Sequence, residues 1–185
     1  MQLYQLLEKR LKNLLNYLNK IEGSFRKLGR RFFMSVKSVK KFFIENGLED
    51  PVFELEGCGA TVELASKTLG IEPALIAKTL SFRLKDRDIL IVTKGDARID
   101  NRKYKDFFKT KAKMLDHDEV AEITGHPVGG VCPFGLLSPM GIYIDVSLKK
   151  YEYVYPAAGS AFTALKIQPL KMQELTQAEF VDVCK

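Results

Sequence analysis

Lys78, His126, Gly129, Gly130 and Cys132 are the residues whose types and spacing can do chemistry. The last four fall in Thr124-Gly-His-Pro-Val-Gly-Gly-Val-Cys-Pro-Phe-Gly135, a stretch dense in glycine and proline. Such residues set a backbone path that ordinary side chains could not follow. Adjacent glycines let a ligand approach bare main-chain N–H groups, which can hold a carbonyl oxygen as it becomes an oxyanion. A tight surface loop is the plainer alternative. Lys78 lies in Ile76-Ala-Lys-Thr-Leu80, where Lys78, Leu80, Phe82 and Leu84 share the parity of one strand face. If that face packs inward and Thr79, Ser81 and Arg83 point away, the Lys78 ammonium is partly desolvated and placed to donate to a carbonyl, hydroxyl or phosphate. The alternative is a lysine whose stem packs while its head reaches water. Cys132 raises a thiol nucleophile, which would need a base or a positive field for activation.

Other catalytic patterns are absent: there is no Gly-x-Ser-x-Gly, Walker loop, Rossmann glycine pattern or His-Glu-x-x-His. The three cysteines are scattered, and His117 and His126 are the only histidines. This disfavours a disulfide framework or zinc site and points to a reducing cytoplasm. No apolar run is long enough to span a membrane.

The positioning elements read as an irregular mixture of helices and strands. A helix begins at Ser35 and ends near Gly47, followed by a strand over Val52–Glu56. Thr61 caps a helix through Leu69 with Gly70 as its stop, and Pro73 opens a short turn to Ala77. Strands are expected over Lys78–Leu84, Ile89–Thr93, Ala112–Leu115, Ile142–Val146, Tyr151–Tyr155, Thr163–Ile167 and Phe180–Val183. Asp100 caps a helix through Phe108, Asp116 with Glu119 starts one ending at Gly125, and Pro169–Leu175 holds a last short helix. This order favours an α+β fold, or a mixed sheet closed on itself, over a regular doubly wound one. Pro156-Ala-Ala-Gly-Ser160 is either a second pocket wall or a tight connection.

The net charge of +6 resides in residues 1–33, which hold eight Lys/Arg and two Glu, while residues 34–185 hold 21 of each sign. The division expected is a basic amphipathic extension over 1–33, dispensable to the fold, and one domain over 34–185. Leu7, Leu11, Leu14, Leu18 and Ile21 recur at helical spacing, so the extension could instead bind a partner, a membrane surface or a nucleic acid. Within the domain, Lys94, Arg98, Arg102 and Lys103 cluster where they could meet a phosphate backbone.

Several pieces occur in one order: Thr61-Val-x-x-Ala-x-x-x-Leu-Gly70, Ile76-Ala-Lys-Thr-Leu80, Gly95-Asp-x-Arg-x-Asp100, Thr124-Gly-x-x-x-Gly-Gly-Val-x-Pro-Phe-Gly135, Asp145-x-Ser-Leu148 and Ala157-Ala-Gly159. Over residues 35–183 the chain resembles the YbaK family of aminoacyl-tRNA deacylases, also found as the editing insertion of bacterial prolyl-tRNA synthetases. The resemblance implies a curved, barrel-like mixed β-sheet ringed by helices. It implies hydrolysis of the ester joining a wrong, small amino acid to the terminal ribose of tRNA, usually tRNA(Pro), without metal or organic cofactor. The implied partners are aminoacyl-tRNA and prolyl-tRNA synthetase or other translation factors. The family's lysine maps onto Lys78 and its glycine pair onto Gly129 and Gly130. Thr79, His126, Val131, Cys132, Pro133, Phe134, Gly135 and Asp145 are expected around the substrate. In this family a ribose hydroxyl of the substrate helps activate water, and in members acting on cysteine the substrate thiol attacks. The chain departs from cysteine-specific members in having Cys132 and Phe134 where those have Ser and Leu. Two alternatives stand beside hydrolysis by this route: a module that binds an aminoacyl or nucleotide end without cleaving it, and a Cys132-dependent hydrolase.

Overall fold

The computed structural model describes residues 35–185; the proposed extension lies outside the described residues. The first helix, α1, spans 35–45. Strand β1 (Val52–Glu54) and helix α2 (Val62–Leu69) follow. Thr61 accepts a hydrogen bond from the Leu64 N–H, and Gly70 closes α2 in the left-handed conformation at φ 65°. These local caps satisfy helix-end groups that would otherwise lack partners, which is why the boundaries were legible. A 3-10 turn at Pro73–Leu75 feeds the long strands β2 (Ile76–Arg83) and β3 (Asp88–Lys94). Helix α3 (Asn101–Phe108) is capped by Asp100, and α4 (His117–Thr124) by the Asp116–Glu119 capping box. The remaining elements are β4 (Gly141–Asp145), β5 (Tyr155–Pro156), β6 (Thr163–Leu165), α5 (Pro169–Thr176) and β7 (Glu179–Val181).

The strands form a mixed five-stranded sheet, ordered β5-β2-β3-β4-β7, and an antiparallel pair β1-β6. Only β2 and β3 pair antiparallel in the larger sheet; β2–β5, β3–β4 and β4–β7 are parallel. Single bridges at Ala157–Ala164 and Val154–Ile167 connect the two sheets along one side. The expected α+β fold with a mixed sheet is therefore present, with its strands divided between two sheets.

Strand β3 is central and Ile89–Val92 is fully buried. Val92 joins a core with Val39, Phe43, Phe134, Ile144 and Leu148, while Ile89 and Ile91 join a second with Phe82, Tyr104 and Val183. A strand covered on both faces reads as a continuous apolar run. The same coverage corrects the reading of β2. Phe82 faces the interior as expected, but Ala77 and Ser81, on the opposite parity, are also buried. That opposite face is not solvent-facing. Two other strands are shorter than their patterns suggested: Ala112–Leu115 makes one bridge, Met114 to Phe82, and the strand after Tyr151 begins only at Tyr155.

Candidate active site

A cleft of about 460 Å³ lies between α2, β2, the start of α4 and the glycine turn. This is the size of a small-molecule site. Lys78, Thr79, Gly129 and Val131 all line it. Its remaining surface is largely apolar, with Leu55, Val62, Leu69, Ile76 and Val120 among the contributors. Neither an Asp, a Glu nor a Cys borders it among the described residues.

The turn is built by Pro127–Gly130. The Gly130 N–H donates to Pro127 O at 2.9 Å, and Gly129 has φ 85°. Positive φ at the third turn position is the arrangement glycine supplies without steric cost. The Gly129 N–H has no acceptor among the described residues, and its residue lines the cleft. Gly130 has another role. A Cβ there would sit 2.6 Å from Ser160 N and Cα, and Gly159 N–H donates to Gly130 O at 3.0 Å. The paired glycines thus differ: the N–H of Gly129 has no acceptor among the described residues, and Gly130 lets the turn seat against Gly159–Ser160. The second small-residue turn supplies a wall as well, through Ala157.

Lys78 is tethered. Its Nζ donates to Gly95 O at 2.8 Å and to Ala97 O. An ammonium has three donors, so one remains for a ligand. Burial lowers its pKa from the ordinary lysine value, and the charges of Cys184, Asp96 and Glu63 oppose that shift. Thr79 Oγ1 is buried without a hydrogen-bond partner and its residue lines the cleft. Its oxygen is closed off from solvent, so a ligand would reach this unpaired hydroxyl only by displacing the atoms that cover it.

The other residues expected around the substrate lie elsewhere. His126 and Cys132 are both fully buried. Cys132 N–H donates to His126 Nδ1 at 3.3 Å, and His126 Nε2 lies 3.3 Å from Gly135 O, which fixes Nδ1 as acceptor and Nε2–H as donor. Cys132 Sγ is 3.6 Å from Nδ1, yet burial pushes its pKa up to about 12. Such a thiol is inert, and it does not border the cleft, which removes the support for a Cys132-dependent hydrolase. Phe134 packs on Phe43 with ring centroids 4.9 Å apart. Pro133 and Gly135 line a separate hollow beside α1 and α5. Asp145 is buried and accepts from Ser147 N–H and Val183 N–H, both at 3.0 Å, so it ties down chain rather than substrate.

The proposed phosphate-binding cluster also stands outside the cleft. Lys94 pairs with Asp96 at 2.9 Å and Lys103 with Asp182 at 2.7 Å. Arg98 is exposed and its backbone pairs with Lys185. Arg102 is exposed, 3.9 Å from Asp106. Conversely, the cleft includes His117, Tyr155 and Thr163, which sequence reasoning did not place there. Only His117 left a signal, since it follows the apolar Met114 and Leu115 at the first position of α4.

Burial lowers the His126 pKa to about 4, so the folded protein holds it neutral. The unfolded chain binds its proton near the ordinary value of ~6.5. Between those values the unfolded state binds more protons, so stability is present above pH ~6.5 and lost as pH falls toward 4. The shift corresponds to about 3 kcal/mol. Urea unfolding from neutral pH to pH 4 should show a fall of that order, and His126→Gln should flatten it.

An aminoacyl-tRNA editing domain model matches residues 58–175. The uncharacterized protein YwhH of Bacillus subtilis is 47% identical over 154 residues, covering 82% of this chain and 98% of that protein. Proline–tRNA ligase of Bacillus velezensis is 30% identical over 90 residues, 48% of this chain but only 16% of the ligase. A solved structure provisionally assigned as a trans-editing enzyme for prolyl-tRNA synthetase superposes with a TM-score of 0.75 at 27% identity, covering 82% of this chain and 97% of that one. Among the described residues no helix is long and apolar enough to cross a membrane.

Proposed function

The chain belongs to the aminoacyl-tRNA editing domain family, and from that premise we propose that it is a trans-editing hydrolase that clears a small non-cognate amino acid from tRNA(Pro). The observation that carries this reading is the make-up of the cleft: a vacant turn N–H, a tethered ammonium and an unpaired hydroxyl, with no carboxylate or thiol among its described walls. An aminoacyl ester is already activated, so positioning and charge stabilisation suffice without a protein nucleophile. Water adds to the carbonyl carbon, and the developing oxyanion is held by the Gly129 N–H. The bond to the ribose oxygen then breaks, that oxygen takes one proton of the attacking water, and the other passes to solvent as the amino acid leaves as a carboxylate. The spare Lys78 donor fixes the ribose, the terminal phosphate or the carbonyl. Editing is needed because a synthetic site separates side chains differing by one methylene only ~10–200-fold.

The direct test is deacylation of a panel of mischarged tRNAs. Faster-than-spontaneous clearance of a small amino acid from tRNA(Pro) supports the proposal. No clearance of any charged tRNA defeats it, and clearance confined to another tRNA defeats the tRNA(Pro) assignment. Thr79→Val provides a finer check. The hydroxyl has no protein partner, so folding should lose nothing. A substrate hydrogen bond would be lost, and kcat/KM should fall about tenfold. Unchanged kinetics would remove Thr79 from substrate contact.

A further inference from the structure

Residues 85–113 hold ten Lys/Arg against five Asp. The domain as a whole is neutral, so this surplus is local. Lys94 and Lys103 are held by carboxylates, but Lys85, Lys105, Lys109, Lys111 and Lys113 make no salt bridge among the described residues. Three of these five lie in one row: Lys109 is the left-handed C-cap of α3, at φ 58°, and Lys111 and Lys113 follow it in the next stretch. Lys109, Lys111 and Lys113 are exposed, whereas Thr110 and Ala112 between them are half-buried. The segment is held along β2: Arg83 N–H donates to Lys113 O at 2.8 Å, and Leu115 N–H donates to Ser81 O at 3.1 Å.

Both ends of this lysine row lead somewhere. At one end, Met114 and His117 line the cleft. At the other, Lys109 borders a notch of about 330 Å³ with Lys85, Phe107, Tyr143 and the Arg87–Asp86 ion pair, 3.0 Å apart. Phe107 is 42% exposed there, its ring centroid 6.0 Å from that of Tyr143. An exposed aromatic beside lysines that make no salt bridge, Lys85 and Lys109, fits a nucleobase and its phosphates better than a protein partner or a lipid surface. The extended part of the row, 111–113, covers ~7 Å, about two nucleotide steps of ~3.4 Å.

We infer that the single-stranded 3′ end of an RNA runs along Lys113, Lys111 and Lys109, with one base stacked on Phe107 in the notch and its terminus in the cleft. The identity of that RNA rests on the editing proposal above. The row differs from the Lys94–Lys103 cluster because Lys109, Lys111 and Lys113 hold no carboxylate among the described residues, whereas Lys94 and Lys103 do.

The test uses the full chain and a fluorescein-labelled single-stranded RNA ending in CCA, with anisotropy read across a series of KCl concentrations. Each phosphate contact on a single strand contributes ~0.7 to the slope of log K against log salt. Lys109→Ala/Lys111→Ala/Lys113→Ala should therefore lower that slope by about two. Lys41→Ala/Lys166→Ala/Lys171→Ala, which removes equal charge elsewhere, should leave it in place. Phe107→Ala should weaken binding about tenfold, and Phe107→Tyr should restore it. A track variant with wild-type slope and affinity, or a matched control that loses as much, overturns the inference. The two proposals fail separately. RNA binding through the track without deacylation of any charged tRNA sinks the editing function and keeps the surface. Deacylation with an unchanged KM in the track variant sinks the surface and keeps the function.

Discussion

Lys78→Met should lower kcat/KM for deacylation by ~10²–10³ while the protein still folds, the range expected for loss of one pre-positioned donor at a developing charge. Methionine keeps most of the stem and removes the charge and all three donors. It also leaves Gly95 O and Ala97 O without the partner they share. Losing that partner costs about 1–3 kcal/mol if the carbonyls stay dry. Urea unfolding should therefore show a moderate drop, and the rate must be measured where the variant remains folded. The two effects have separate signatures. A purely structural lysine would lose stability with little change in the rate of the folded fraction. A lysine that also holds substrate loses the rate at every temperature. Lys78→Arg should not rescue activity, because a planar guanidinium cannot reproduce the contacts of a compact ammonium on two converging carbonyls.

Gly130→Ala should be the most damaging small substitution in the turn. Its Cβ would fall 2.6 Å from backbone atoms of Ser160, which have no rotamer to move out of the way. Overpacking of this kind costs about 1–3 kcal/mol. The turn can relieve it only by lifting from Gly159–Ser160, which displaces the neighbouring Gly129 N–H from the cleft wall. A shift near 1 Å in a positioning group costs ~10² in rate. Gly47→Ala is the matched control. Gly47 also has positive φ, at 71°, but a Cβ there meets nothing within 4 Å. It should lose about 1 kcal/mol of stability and no activity. Equal rates in Gly130→Ala and wild type would show that the seating of this turn does not control catalysis.

These two residues also show what the sequence could and could not disclose. Thr61, Gly70, Asp100 and the Asp116–Glu119 pair act on backbone groups within four residues, so their roles were visible locally. The lengths of β2 and β3 were legible from apolar patterning. What Lys78 touches was not, because its acceptors lie 17 and 19 residues away. They arrive only through the β2–β3 register that places Lys78 opposite Thr93. The different duties of Gly129 and Gly130 depend on Ser160, brought close by tertiary packing. His126 and Cys132 looked chemically suggestive because they are near each other in sequence. Complete burial makes them a hydrogen-bonded support for the loop instead. The pattern of β2 misled in one respect: threonine and serine on its second face suggested solvent, whereas residues of both parities, Lys78 and Leu80 as well as Thr79 and Ser81, line the cleft. A binding site lined by hydroxyls and an exposed surface look alike in a single strand's alternation.

In the proposed complex the aminoacyl end of the substrate sits under the Pro127–Gly130 turn with its carbonyl oxygen on the Gly129 N–H. The most direct measurement is amide NMR of the isotopically labelled protein titrated with a non-hydrolysable amide analogue of aminoacyl-adenosine. The Gly129 amide should move downfield, with Thr79 and Val131 shifting at the same analogue concentrations. Shifts confined to the hollow beside α1 and α5, with the Gly129 amide unmoved at saturation, would contradict it.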